Sequence, residues 1–247
     1  MNNKEYLIER LKKAKIEISD QQCSQLLKYY ELLVERNKVM NLTAITEFKE
    51  VVDKHFVDSL ALIALFGGQN ETKEAVMGKT LIDLGTGAGF PGIPLKIVFP
   101  DLNVVLLDSL NKRIVFLNDV ISELELKNID AFHGRAEEFG RQKAYREQFD
   151  FCVSRAVANL STLSEYCLPF VKVGGSFIAY KSGKIDQEVN ESQKAVRVMG
   201  GNLIEVKSFV LPQTDIERTL VHINKVELTP KVYPRKAGKP AKEPIKC

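Results

Sequence analysis

Tryptophan is absent from this chain of 247 residues, cysteine occurs four times and histidine three times. The cysteines (Cys23, Cys152, Cys167, Cys247) form no Cys-x-x-Cys pair and the histidines (His55, His133, His222) lie far apart. Neither a structural zinc nor a disulfide framework is expected, and no other metal site is called for. The longest apolar run, Leu60 to Phe66, has seven residues, well short of the ~18 that a membrane helix needs. The start, MNNKEYLIERLKK, lacks the apolar core of a secretion signal, so a cytoplasmic location is the default expectation. There is no internal repeat. What remains is 45% hydrophobic and 27% charged, a balance that supports a sizeable single core.

Net charge is also scarce, at +3, but it is unevenly spread. Residues 225–247 hold Lys225, Lys231, Arg235, Lys236, Lys239, Lys242 and Lys246 against Glu227 and Glu243, a local charge of +5 on a body of −2. The same stretch holds Pro230, Pro234, Pro240 and Pro244, four of the nine prolines. Such a segment cannot build its own core and is expected to be extended. Its charge suits a polyanion.

Residues 1–66 read as helical. Ser19 and Gln22 resemble a capping box, and Leu26, Leu27, Tyr30, Leu33 and Val34 follow at helical spacing. A second helical stretch is expected from Glu47 to Phe66, with Gln69 to Lys73 as a linker after Gly67-Gly68. From Thr80 the pattern becomes short apolar strands alternating with helices. Strands are expected at 80–84, 103–108, 128–133, 150–154 and 176–180, then two more near 202–210 and 218–225 with no helix between them. Helices are expected near 95–99, 112–124, 160–168 and 184–199. This implies an α/β, doubly wound, mostly parallel sheet with an antiparallel C-terminal edge. The expected organisation is a helical extension over 1–75, a cofactor-binding domain over 76–228 and a basic tail over 229–247.

The sharpest feature is Asp83-Leu84-Gly85-Thr86-Gly87-Ala88-Gly89-Phe90, between a strand and a helix. In a doubly wound sheet a nucleotide-like cofactor binds at that turn. A pyrophosphate loop counted from Gly85 fails at Phe90, and counted from Gly87 its last glycine falls inside the helix. The carboxylate of Asp83 beside the loop, with Gly85 and Gly87 in it, instead suits a cationic ligand, S-adenosyl-L-methionine. Asp108 ends the next strand at a spacing that lets it accept ribose hydroxyls.

Further runs occur in order: Asn41-Leu42-Thr43-Ala44, His55-Phe56-Val57-Asp58-Ser59, the glycine loop continued by Pro91-Gly92-Ile93-Pro94-Leu95, Leu107-Asp108-Ser109, Lys112-Arg113, Ser154-Arg155-Ala156 and Tyr233-Pro234-Arg235-Lys236. With them nearly the whole chain resembles the bacterial methyltransferase G family of small-subunit rRNA, formerly glucose-inhibited division protein B. The resemblance implies a Rossmann-like class I methyltransferase fold, S-adenosyl-L-methionine as cofactor, and 16S rRNA or the small ribosomal subunit as partner. It implies 7-methylguanosine near the decoding site as product. It also implies cofactor contacts at Gly85, Phe90, Ala136, Glu137 and Arg155, to which spacing adds Asp108.

No obligatory catalytic residue is expected, because guanine N7 already presents a lone pair and positioning supplies the acceleration. There is no Asn/Asp-Pro-Pro-Tyr sequence for exocyclic amines, and Cys152 lies in an apolar strand that suits a buried thiol. Arg155 is the best candidate for charge placement, with a structural ion pair as the alternative. His55 and Asp58 either face the target base or make a helix-packing hydrogen bond. Lys112 and Arg113 read as a solvated helix end and Arg197 as a solvated face. Lys181, Lys184, Arg235 and Lys236 are the RNA-binding candidates, either on phosphate or simply exposed. Two rival functions fit the same pattern: an RNA-binding ribosome-assembly factor without catalysis, and a nicotinamide-dependent dehydrogenase.

Overall fold

The computed structural model of the chain describes residues 2–155 and 157–246; Met1, Ala156 of the Ser154-Arg155-Ala156 run, and Cys247 lie outside the described residues. Two capping boxes start the N-terminal helices. Asn2 and Glu5 exchange side-chain and backbone bonds ahead of α1 (Asn3–Lys13), and Ser19 and Gln22 do the same ahead of α2 (Asp20–Met40). The Gln22 amide also donates to the carbonyls of Ile97 (2.8 Å) and Val98 (3.1 Å), so α2 seals the end of α6 (Gly92–Val98), the helix that follows the glycine loop.

The expected helix from Glu47 to Phe66 is broken. It runs as α3 (Phe48–Val51), a π-helical stretch Val52–Val57, a 3-10 turn Leu60–Leu62 and α4 (Ile63–Phe66). Val52, His55 and Phe56 share one face at ordinary helical spacing, and the wider π turn brings Val57 into burial beside them. The expected linker at Gln69 to Lys73 is instead the first part of α5 (Gln69–Val76), on which Thr72 and Val76 are buried. Polar composition there marks the outer face of a helix.

The sheet follows expectation closely. Strands β1 (Thr80–Leu84), β2 (Asn103–Asp108), β3 (Ile129–His133), β4 (Phe149–Arg155), β5 (Val171–Ser182), β6 (Gly201–Val210) and β7 (Glu217–Lys225) form one sheet in the order β3-β2-β1-β4-β5-β7-β6. The first five are parallel; β7 runs antiparallel between β5 and β6. Helices α7 (Asn111–Glu123), α8 (Ala136–Phe139), α9 (Leu160–Cys167) and α10 (Asp186–Val198) make the crossovers.

Side-chain alternation divides the core between the two faces of the sheet. Leu81, Val104, Leu106, Val153 and Ile178 pack with α1, α2, α6, α7 and the broken helix. Ile82, Leu84, Leu107, Cys152 and Phe177 pack with α9, α10 and with Tyr233 and Ile245 from the C-terminal segment. That last contact corrects the expected extended tail. Residues after β7 fold back onto the domain, form the short helix α11 (Lys239–Lys242) and bury Pro240. Among the described residues no helix is long and apolar enough to cross a membrane, and no group of three His, Cys, Asp or Glu side chains could hold a metal.

Candidate active site

The carboxyl ends of β1 to β3 open into a cavity of about 260 Å³ lined by Leu84, Gly85, Leu107, Asp108, Ser109, Gly134 to Glu137, Ser154, Val157, Leu163, Tyr166, Cys167, Gly238 and Ala241. Of the glycine loop, Gly85 lines it. Gly85 has φ +69°, and a Cβ there would stand 2.5 Å from Val157, so the turn admits only glycine. Gly89, at φ +104°, leaves room for the Tyr29 hydroxyl, which donates to the Ala88 carbonyl and ties the loop to α2. Tyr29 is itself wholly buried against Phe56 and Phe90.

Two acids face this cavity. Asp108 is 2% exposed; it accepts the Gly87 N–H (2.9 Å) and the Leu110 N–H (2.9 Å), and pairs with Arg113 at 3.1 Å. Arg113 is therefore a partner of Asp108, where a solvated helix end was expected. Glu137 is 6% exposed on α8 and accepts the Gly238 N–H at 2.8 Å. Burial, and then the charge of Glu137, push the neighbouring Tyr166 phenol up to about 12, so it stays a hydrogen-bond donor.

The remaining expected cofactor residues do not reach the cavity wall. Asp83 lies on the other face of β1, fully buried, and its Oδ2 accepts the Thr86 hydroxyl (2.7 Å) and the Gly92 N–H (2.8 Å). Its Oδ1 has no partner, and burial raises its pKa to about 6. It holds the loop closed from beneath. Gly87 contributes its N–H to Asp108, while Phe90 stacks on His55 with centroids 4.4 Å apart.

Arg155 belongs to a second cleft of about 400 Å³, lined with Ile45, Lys54, His55, Asp58, Tyr180 to Ser182, Ile185, Glu188 and Arg218. Ser154 and Arg155 are consecutive on β4, so the first points to the cavity and the second to this cleft. Arg155 donates to the Lys54 carbonyl (3.1 Å) and to Asp58 Oδ2 (2.9 Å), and its guanidinium carbon lies 5.2 Å from the Phe90 ring centroid. Asp58 Oδ1 accepts from Arg218 at 2.8 Å, so one carboxylate grips two guanidinium groups. His55 Nε2 meets the Thr43 hydroxyl at 2.9 Å; burial, followed by the Arg155 charge, lowers its pKa to about 3 and keeps it neutral. Lys54 and Arg218 were not singled out from sequence. Arg218 enters because β7 pairs with β5 in the register that sets it opposite Ser182, and a register is not readable from composition.

The RNA-binding candidates separate into two kinds. Lys184 and Lys236 are exposed. Lys181 is turned inward, pairing with Glu188 (2.6 Å) and donating to the Ala158 carbonyl (2.6 Å). Arg235 grips the buried Glu165 through Nε and Nη2, at 3.0 and 2.6 Å. Lys225 is wholly buried, donating to the Leu168 and Met199 carbonyls, and burial lowers its pKa to about 8. Much of the apparent tail charge is thus consumed internally. Cys152 is buried and its thiol pushed well up by desolvation, as its apolar strand suggested; Arg197 is exposed.

A β3-β2-β1-β4-β5-β7-β6 sheet with a glycine loop after β1 and acids beyond β2 and β3 is the fold of the class I S-adenosylmethionine-dependent methyltransferases. The same fold is seen in a mutant of MtNAS in complex with S-adenosylmethionine (TM-score 0.53, 15% identity, 91% of this chain and 88% of that one). It is also seen in TrmN from Thermus thermophilus (TM-score 0.51, 15% identity, 71% and 53%). The family model described as rRNA small subunit methyltransferase G matches residues 22–220, and the chain belongs to that family. Relatives named ribosomal RNA small subunit methyltransferase G include one from Lachnoclostridium phytofermentans, 55% identical over 99% of this chain and 98% of its own. Another, from Alkaliphilus oremlandii, is 51% identical over the whole of both chains.

Proposed function

We propose that the chain transfers a methyl group from S-adenosyl-L-methionine to N7 of a guanine in 16S rRNA, with the cofactor in the cavity and the target base in the second cleft. The observation that carries this reading is the family match over residues 22–220, which include the whole lining of the second cleft and all of the cavity's except Gly238 and Ala241. The cavity's donors and acceptors fit the cofactor. Asp108 would hold the ribose hydroxyls and Glu137 the adenine amino group, with Leu107, Ala136 and Leu163 supplying apolar walls. When bound, S-adenosyl-L-methionine supplies an electrophilic methyl on a cationic sulfur.

The cleft suits an acceptor that needs no base. Guanine N7 attacks through an existing lone pair, so the neutral His55 has no proton to remove. An arginine donating to N7 would block that lone pair. Arg155 is kept from doing so by Asp58, the Lys54 carbonyl and the Phe90 ring. What Arg155, Arg218 and exposed Lys184 add is positive charge toward RNA phosphate. Such an enzyme works where ribosomes are made, in the cytoplasm.

Mapping 7-methylguanosine in 16S rRNA from cells with and without the gene tests this reading. One guanine should lose its N7 methyl when the gene is removed. An unchanged map would leave the assembly-factor alternative standing.

A further inference from the structure

The C-terminal segment, whose charge suits a polyanion and so an RNA-binding arm, is built into the cavity instead. We propose that residues 236–246 form a strap over the adenosine end of the cavity, so that cofactor binding and docking of the strap reinforce each other. This rests on the reading of the cavity as the cofactor site.

The segment is anchored at its base by partly buried polar contacts and by one buried carboxylate, Glu165. Arg146 donates to the carbonyls of Thr229 (2.6 Å) and Tyr233 (2.8 Å), and Glu147 accepts the Thr229 N–H at 2.7 Å. Glu165, 1% exposed, accepts from both the backbone (2.7 Å) and the guanidinium of Arg235. Breaking such buried charge contacts is expensive, so residues up to Arg235 are fixed.

Beyond Arg235 the polar attachment is thinner, although Pro240 is buried and Ile245 packs on the core. Gly238, at φ +80°, turns its N–H onto Glu137 at 2.8 Å, the Pro240 carbonyl accepts from Thr162 at 3.2 Å, and the Glu243 carbonyl accepts from Arg235 at 2.9 Å. The ion pairs Lys239–Glu243 and Lys246–Glu191, each at 3.6 Å, join exposed side chains and are screened by solvent. Yet Gly238 and Ala241 are part of the cavity wall, beside Glu137 and Tyr166. A carboxylate has acceptor sites to spare, so Glu137 can hold Gly238 and a ligand amino group at once. A ligand under the strap gains a wall, and the strap gains a surface to rest on. By linkage each strengthens the other by the same factor.

The test is calorimetric titration of the purified protein with S-adenosylhomocysteine, alongside limited trypsin digestion with and without that ligand. Truncation after Arg235 leaves the buried anchor in place and is expected to weaken S-adenosylhomocysteine binding roughly tenfold, the equivalent of about one buried hydrogen bond. Ala241→Trp, on an exposed side chain of α11, crowds the cavity without disturbing the core and should weaken binding in the same direction. Bound ligand should slow cleavage after Lys236 and Lys242, the Lys239–Pro240 bond being resistant to trypsin. Asp108→Ala reports on the cavity itself. If Asp108→Ala weakens binding while truncation, Ala241→Trp and protection show nothing, the strap is refuted and the cavity reading stands. If Asp108→Ala also leaves affinity unchanged, the cavity reading falls and the strap with it. Loss of rRNA affinity without loss of S-adenosylhomocysteine affinity on truncation would restore the RNA-arm interpretation and overturn the proposal.

Discussion

Replacing Asp83 by Asn separates the charge of this residue from its shape. The carboxyl is fully buried, holds Thr86 and Gly92 through one oxygen, and leaves the other without a partner. Burial raises its pKa from the ordinary 3.8 to about 6. Between those values the native protein keeps a proton that the unfolded chain has released, so stability falls as pH rises through this window. By pH 7 the native state bears the full cost of an ionised buried carboxylate, about 3 kcal/mol. Asparagine keeps the acceptor for Thr86 and Gly92 and never ionises; its amide stands where the protonated acid would have its own unpartnered donor. The two proteins should therefore be about equally stable near pH 4, and the Asn variant should gain about 3 kcal/mol over the parent by pH 7. Urea unfolding of both proteins at matched ionic strength from pH 4 to 7.5 measures this difference directly. Contributions from other titrating groups cancel between the two. A difference that stays constant across that range would refute the argument that Asp83 is held charged against its burial.

Four further outcomes follow from the same geometry. Arg235→Ala strips the partner from buried Glu165 and should cost roughly 3–5 kcal/mol in denaturant unfolding, while the salt dependence of rRNA binding stays as it was; a shallower salt slope would return Arg235 to the RNA surface. Arg218→Ala should slow methylation of 30S particles at least about tenfold and leave S-adenosylhomocysteine affinity unmoved in calorimetry; the reverse pattern would misassign the second cleft. The His55 ring proton resonances should not titrate between pH 5 and 8, because burial and Arg155 hold its pKa near 3; a midpoint in that range would contradict a neutral imidazole. Tyr29→Phe removes only the hydroxyl that ties Ala88 to α2 and should cost about 1 kcal/mol, with weaker S-adenosylhomocysteine binding from a looser loop; unchanged stability and affinity would show that the loop holds its shape without it.

The parallel half of the sheet was readable because each strand is an apolar run closed by a turn, and β2 ends on Asp108 as the spacing required. The two-residue alternation of a strand also carries information about facing, which apolar runs alone do not. Asp83 and Arg155 are each one residue out of phase with cavity residues, Leu84 and Ser154, so parity alone places them on the far face. The family resemblance grouped Arg155 with the cavity, and nearness to the glycine loop grouped Asp83 with it, both without that geometry. Composition misled at the tail for a different reason. The acids that pair with its charges, Glu147 and Glu165, and Glu137, which holds its backbone, lie far away in sequence, and Lys225 is basic yet fully buried. Polar residues at Gln69 to Lys73 suggested a linker but cover the outside of α5, and a π turn shifts the phase on which His55 and Asp58 were judged.

The activity proposed for this chain is transfer of a methyl group onto guanine N7 of small-subunit rRNA. Purified protein incubated with labelled S-adenosyl-L-methionine and 30S particles lacking the modification, followed by digestion to nucleosides, tests it most directly. The label should run with 7-methylguanosine and disappear in the Asp108→Ala variant. Label in any other nucleoside, or none transferred by a protein that binds both partners, would contradict the account.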